Sequence, residues 1–131
     1  IFMGEKDFQQ LYLVRKYLKK NHRSKIIGCK TIREKNKLAL SSRNLRLSKT
    51  QIIKASKLIQ NIMDIRKRFK KNDNFNKILY YKKKELSKLY NVKIEYLEFR
   101  NIKNLGLSKK QKNSRIFLAY YLNKVRLIDN F

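Results

Sequence analysis

Ser41-Ser42-Arg43-Asn44-Leu45-Arg46-Leu47-Ser48-Lys49-Thr50-Gln51 is the stretch on which the organisation of this chain turns. Its first residues crowd two hydroxyls and a guanidinium fork, donors suited to phosphate oxygens. Its last residues match a capping box, with Gln51 three positions after Ser48, and predict the start of a long helix. A change of architecture therefore falls at or just after Asn44.

Downstream of that point the pattern is regular. Ile52, Ala55, Leu58, Ile59, Ile62 and Ile65 or Met63 recur at helical spacing and face inward. Lys70-Lys71-Asn72-Asp73-Asn74 ends this helix, and a second carries Ile78, Leu79, Leu86 and Leu89. Val92, Ile94 and Tyr96 then alternate with Lys93 and Glu95, which is strand periodicity. Ile116 to Leu122 and Val125 to Ile128 read as two further strands. Residues 45–131 are thus expected to form a small α+β module, two helices followed by about three strands.

Upstream, Ile1-Phe2-Met3 reads as the end of a buried strand entering Gly4, so the chain is expected to begin inside a domain. Asp7 caps a helix running to about Lys20, with Phe8, Leu11, Val14 and Leu18 on one face. Lys19, Lys20, Asn21, His22 and Arg23 form a basic helix exit, where His22 faces solvent. Lys25-Ile26-Ile27-Gly28-Cys29 reads as a short buried strand. Thr31 to Leu40 is irregular, with a turn at Asn36-Lys37. Residues 1–44 therefore read as the end of an α/β unit, and ligand sites often form between two such modules.

The chain has 131 residues, is 42% hydrophobic and carries 35 Lys and Arg against nine Asp and Glu, a net charge of +26. Such a charge is the footprint of a nucleic-acid binder. Two features count against that reading. The cations are spread along the whole chain, and Lys, Asn, Ile, Tyr and Phe share A/T-rich codons, so genome composition produces the same balance. No apolar run approaches the ~20 residues of a membrane-spanning helix, and no secretory signal is visible. Cys29 is the only cysteine and His22 the only histidine. A disulfide framework within this chain and a histidine-rich metal site are excluded, and a reducing, cytoplasmic compartment fits.

The chemistry gathers in two places. In Gly4-Glu5-Lys6-Asp7-Phe8-Gln9-Gln10-Leu11, Gly4 lets a ligand approach the backbone, Lys6 can neutralise a phosphate oxygen and Asp7 can accept from a sugar hydroxyl. Ser41, Ser42 and Arg43 can hold a polyphosphate from the other side. This is not a P-loop, because no Gly-x-x-x-x-Gly-Lys occurs. Taken singly, Glu5-Lys6-Asp7 reads as a solvated helix start and Ser41 to Asn44 as a turn.

Together these stretches, with Thr31-Ile32-Arg33-Glu34, Leu38-Ala39-Leu40 and Arg126-Leu127-Ile128-Asp129-Asn130, resemble the C-terminal half of the pantothenate synthetases, the pantoate–β-alanine ligases. The resemblance implies the end of a Rossmann-like nucleotidylyltransferase domain (residues 1–44) followed by a small α+β C-terminal lid domain (residues 45–131). It implies ATP-dependent condensation of pantoate with β-alanine through pantoyl adenylate, with Mg2+, in a homodimeric parent. Gly4, Glu5, Lys6 and Asp7 match the first ATP loop, Leu40, Ser41, Ser42 and Arg43 the second, and Ile32 a backbone contact to adenine. Lys6, Ser41, Ser42 and Arg43 are then the phosphate-stabilising groups and Gln10 a pantoate contact, while Gln9 serves structure. No residue of this chain is matched to a metal ligand.

The sequence departs from that pattern at Met3, where the family commonly has Phe, at Lys30, where it has Pro, at Lys37, where it has Gly, and at Asn123, where it often has Gly. The family's His-x-Gly-His motif is absent, so this chain alone is expected to be inactive. The alternative is a basic RNA- or DNA-binding module; a regulatory paralogue that keeps the lid without catalysis is weaker.

Overall fold

The computed structural model describes residues 1–21 and 24–131, without the side chains of residues 19–21. The expectation for His22 lies outside the described residues. The element order begins with strand β1 (Phe2–Gly4), a 3₁₀ turn (Glu5–Asp7), helix α1 (Phe8–Asn21) and strand β2 (Ile27–Cys29). A second 3₁₀ segment (Ser42–Arg46) precedes helices α2 (Lys49–Lys67) and α3 (Phe75–Tyr90), and strands β3 (Lys93–Asn101), β4 (Ser114–Leu122) and β5 (Val125–Asn130) complete it.

β1 and β2 are parallel, with Met3 opposite Gly28, and α1 connects them as the crossover of a βαβ unit. Met3 and Ile26 pack with Phe8 and Leu11 of α1. The approach is close at Gly28: a Cβ there would stand 2.8 Å from the Arg15 guanidinium, which can swing away, and 3.2 Å from Leu11. The two strands are not buried as the sequence reading expects. Phe2 is 75% and Ile27 40% exposed. α1 covers one face of the pair, and strands of a parallel sheet need cover on both.

Helix α2 starts as its sequence predicts. Ser48 Oγ accepts from the Gln51 amide at 3.2 Å, and Gln51 Oε1 accepts from the Ser48 amide at 2.8 Å. Ala55, Leu58, Ile59, Ile62 and Ile65 of α2 are buried, with Phe75, Leu79 and Leu86 of α3, against one face of the β3–β4–β5 sheet. Leu89 departs from expectation: it is 62% exposed, in the last turn of α3, and Phe75 supplies the buried bulk instead. α3 ends at Asn91, whose φ of 48° is the left-handed conformation common at helix ends.

The sheet is antiparallel throughout, and β4 lies at its centre. Ile116, Leu118, Tyr120 and Leu122 of β4 face α2 and α3. Phe117 faces the other way and meets Phe8 of α1, ring centroids 5.8 Å apart. The central strand is therefore buried on both faces, which its nearly continuous apolar run requires.

β3 breaks the simple alternation. Its register slips between Ile94 and Tyr96. A bulge changes which residues face inward: Ile94, Leu97 and Phe99 join the α2–α3 core, while Tyr96 packs on the α1 side. Two of the positions at which the resemblance leads one to expect glycine carry positive φ, Lys37 at 74° and Asn123 at 52°. Asn tolerates that region, whereas a lysine there costs about 1–2 kcal/mol.

Candidate functional site

The first loop is held from beneath by β5. Gly4 leads into the Glu5–Asp7 turn with φ of −68° and ψ of 135°. The side-chain amide of Asn130 donates to the carbonyls of Glu5 at 2.8 Å and Lys6 at 2.9 Å. Arg115 of β4 braces both partners, donating to Asn130 Oδ1 at 2.9 Å and to the Glu5 carboxylate at 2.8 Å. It also lies 4.9 Å over the Phe8 ring. The Glu5 carboxylate thus ties the loop to β4. The Lys6 ammonium is 3.7 Å from the Asp7 carboxylate. Gln10 is exposed on the first turn of α1 and Gln9 half-buried beside it.

The second loop leaves a small hairpin. Arg33 bridges Ala39, and the Leu40 amide donates to the Ile32 carbonyl at 3.0 Å. Ile32 is 71% exposed, and its carbonyl keeps a second lone pair. The turn at Asn36-Lys37 expected from sequence closes this hairpin, with Asn36 Oδ1 accepting from the Leu38 amide at 3.0 Å. Ser41 then caps the Ser42–Arg46 segment, its Oγ accepting from the Arg43 amide at 3.2 Å. Asn44 ties the segment back to the Ala39 carbonyl at 3.0 Å. Arg43 is exposed, and its guanidinium reaches the Arg126 carbonyl of β5 at 3.4 Å.

A partly buried ion pair joins the hairpin to the same strand. Arg33 grips Asp129 with both nitrogens, at 2.7 and 2.8 Å, and donates to the carbonyls of Lys37 at 3.0 Å and Asn130 at 3.2 Å. Asp129 Oδ1 also accepts from the Asn130 amide at 2.8 Å. Nearby, burial with the Asp129 charge pushes the Tyr120 phenol far above its ordinary value. Across the sheet, Arg126 of β5 pairs with Glu95 of β3 at 2.7 Å and draws that carboxyl below the usual glutamate value.

β5 is therefore the common seat of two segments that stand far apart in sequence. Asn130 holds the first, and Arg126 and Asp129 hold the second. Arg126 and Asn130 are four residues apart along the strand, roughly 13 Å. The residues that do this holding, Arg33, Arg115, Asp129 and Asn130, had no role in the sequence reading. Arg33 and the Asp129-Asn130 pair stood inside the quoted stretches, but their pairing across the fold leaves no local signal. Arg115 gave none. Among the described residues no three His, Cys, Asp or Glu side chains converge, and no helix is long and apolar enough to cross a membrane.

Residues 1–131 match the family model described as pantoate-beta-alanine ligase. Pantothenate synthetase of Flavobacterium psychrophilum is 38% identical over 133 residues, covering 98% of this chain and 47% of its own length. That of Ruegeria is 36% identical over 131 residues, again covering 98% of this chain and 47% of its own. Among solved structures, a pantothenate synthetase of Thermus thermophilus superposes with a TM-score of 0.85 at 28% identity, over 99% of this chain and 48% of that one. The Francisella tularensis pantoate-beta-alanine ligase complexed with beta-gamma ATP and beta-alanine superposes with a TM-score of 0.71 at 34% identity, over 99% and 42%. These matches are ligases and lend the nucleic-acid reading no support. This chain, spanning about half the length of the curated relatives it matches, belongs to the pantoate–β-alanine ligase family.

Proposed function

We propose that this chain forms the part of an ATP-dependent pantoate–β-alanine ligase that grips the nucleotide phosphates. The observation that carries this reading is the docking of both loops on β5, through Asn130 on Lys6 and Arg126 on Arg43. Residues 1–44 are read as the closing part of a Rossmann-like nucleotidylyltransferase domain and residues 45–131 as the lid.

In the first step a pantoate carboxylate oxygen attacks the α-phosphorus of ATP, and the bond to the β-phosphate breaks to release pyrophosphate. In the second, the β-alanine amine attacks the acyl carbon of pantoyl adenylate, loses a proton, and AMP departs. No protein nucleophile is needed; catalysis rests on alignment and on charge placed where the leaving group develops it. Lys6 and Arg43 supply that charge, with the Ser41 and Ser42 hydroxyls on the same phosphates. Gly4, Glu5 and Asp7 line the first loop, Ile32 and Leu40 the second, and Gln10 holds pantoate. A Cβ at Gly4 would meet nothing within 4 Å, so its backbone is open to a ligand.

The described donors suit Mg2+ carried on nucleotide phosphates and water: no three acidic side chains converge into a cage, and Asp7 offers one half-exposed carboxylate. We place the activity in the cytoplasm and in a homodimer of full-length protein. The test is a full-length protein containing this chain, supplied with ATP, Mg2+ and pantoate. Pyrophosphate release without β-alanine, and pantothenate only with it, is the expected result. No pantoate-dependent pyrophosphate release would overturn the reading.

A further inference from the structure

A cavity of about 390 Å³ opens between the end of α2 and the sheet, and none of the proposed ATP or pantoate residues lines it. Its walls are apolar: Phe69, Phe99, Phe131 and Met63. The Phe69 and Phe99 rings meet edge to face at 85°, centroids 5.6 Å apart, so they present a stiff aromatic corner. The polar side chains on the cavity are Arg33, Arg66, Lys67 and Gln111, with no acidic side chain among the lining residues.

These groups are not equivalent. Arg33 is neutralised by Asp129 and stacks 4.9 Å over Phe131. Lys67 is exposed and sits 3.3 Å from Asp64 on its own helix. The Gln111 amide nitrogen is committed to the Phe69 carbonyl at 2.9 Å. Arg66 differs from all three. It is half-buried, both its terminal nitrogens share a single carbonyl, Ser114 O, at 3.3 Å, and its guanidinium carbon is 5.9 Å from the Phe99 centroid. No carboxylate among the described residues pairs with it. Burial and the neighbouring Arg115 charge both disfavour its cationic form. A desolvated guanidinium with one long, shared acceptor has donors left for a bidentate anion.

We propose that this cavity binds a small carboxylate bearing a flat apolar group, with Arg66 as its charge partner and the phenyl rings around its body. A volume near the low end for ligand pockets limits the occupant to a small molecule. One unpaired guanidinium limits it to one principal anionic group. The site stands independently of the ligase reading.

The test titrates the chain with phenylacetate, acetate and benzyl alcohol at physiological salt, followed in ¹H–¹⁵N spectra. Saturable phenylacetate shifts centred on Arg66, Phe69, Phe99 and Gln111 are expected, at least tenfold tighter than with either other probe. Arg66→Gln should weaken phenylacetate tenfold or more, and Lys57→Gln, which removes one exposed charge elsewhere on α2, should change nothing. Mapping on the unsubstituted chain keeps the test decisive if Arg66→Gln does not fold. Equal, salt-sensitive responses to acetate and phenylacetate spread over the lysines would mean adventitious binding to a polycation and overturn the proposal. So would equal affinities in Arg66→Gln and Lys57→Gln.

Discussion

Asn130 and Lys6 are joined by a 2.9 Å bond from side-chain amide to main-chain carbonyl, and the same amide holds the Glu5 carbonyl at 2.8 Å. One buried side chain thus fixes the backbone that carries the proposed phosphate cation. Asn130→Ala should lower stability by about 1–3 kcal/mol, because two carbonyls and one nitrogen of the Arg115 fork lose their partner. Denaturant unfolding measures the loss. Amide exchange should quicken most at residues 5–8, and uniform quickening would contradict a local clamp.

The buried partner of Arg33 sets a larger effect. The Asp129 side chain is 2% exposed, against 19% for Arg33. Arg33→Gln strands that carboxylate and should destabilise the fold by roughly 3–5 kcal/mol. Asp129→Asn added to Arg33→Gln should recover part of the loss, since the remaining pair is neutral. A double variant no more stable than Arg33→Gln alone would show that the charge was not the cause.

Loss of either proposed phosphate donor should act on chemistry more than on folding. In the full-length protein Lys6→Ala and Arg43→Ala should each slow adenylate formation by about 10²–10³, roughly 3–4 kcal/mol. Gln10→Ala should mainly raise the pantoate KM. Near-normal pyrophosphate release in a lysine or arginine variant, or an unchanged KM for Gln10→Ala, would remove the corresponding role.

The Glu95–Arg126 pair predicts a pH signature. The folded Glu95 value is lowered, chiefly by its hydrogen bond to Arg126. Its contribution is therefore complete above the unfolded glutamate value, about 4.3, and is lost as pH falls through the lowered folded value. Carboxyl NMR should find Glu95 titrating below ordinary glutamates, and Arg126→Gln should return it to them.

Local patterns in the sequence carried much of this. The Ser48–Gln51 box and the spacing of Ile52 to Ile65 predicted α2, because capping and amphipathic periodicity are properties of neighbouring residues. The strands β4 and β5 were legible from their apolar runs. The bulge after Ile94 was not, since a register slip exists only relative to β4. Leu89 misled for the opposite reason: it sits at a helical spacing that the final turn of α3 does not bury.

Local pattern specifies the helices and strands downstream of Asn44, the two donor-rich loops, and the resemblance through which they are read as one site. What those loops rest on is a matter of long-range packing. Asn130 beneath Lys6, Asp129 beneath Arg33 and Arg126 beside Arg43 are contacts across more than eighty residues. Such contacts are set by how β5 pairs with β4 and how α1 packs on Phe117. Periodicity reports which face of an element is apolar; it carries no record of which distant polar group that packing will bring within hydrogen-bond reach.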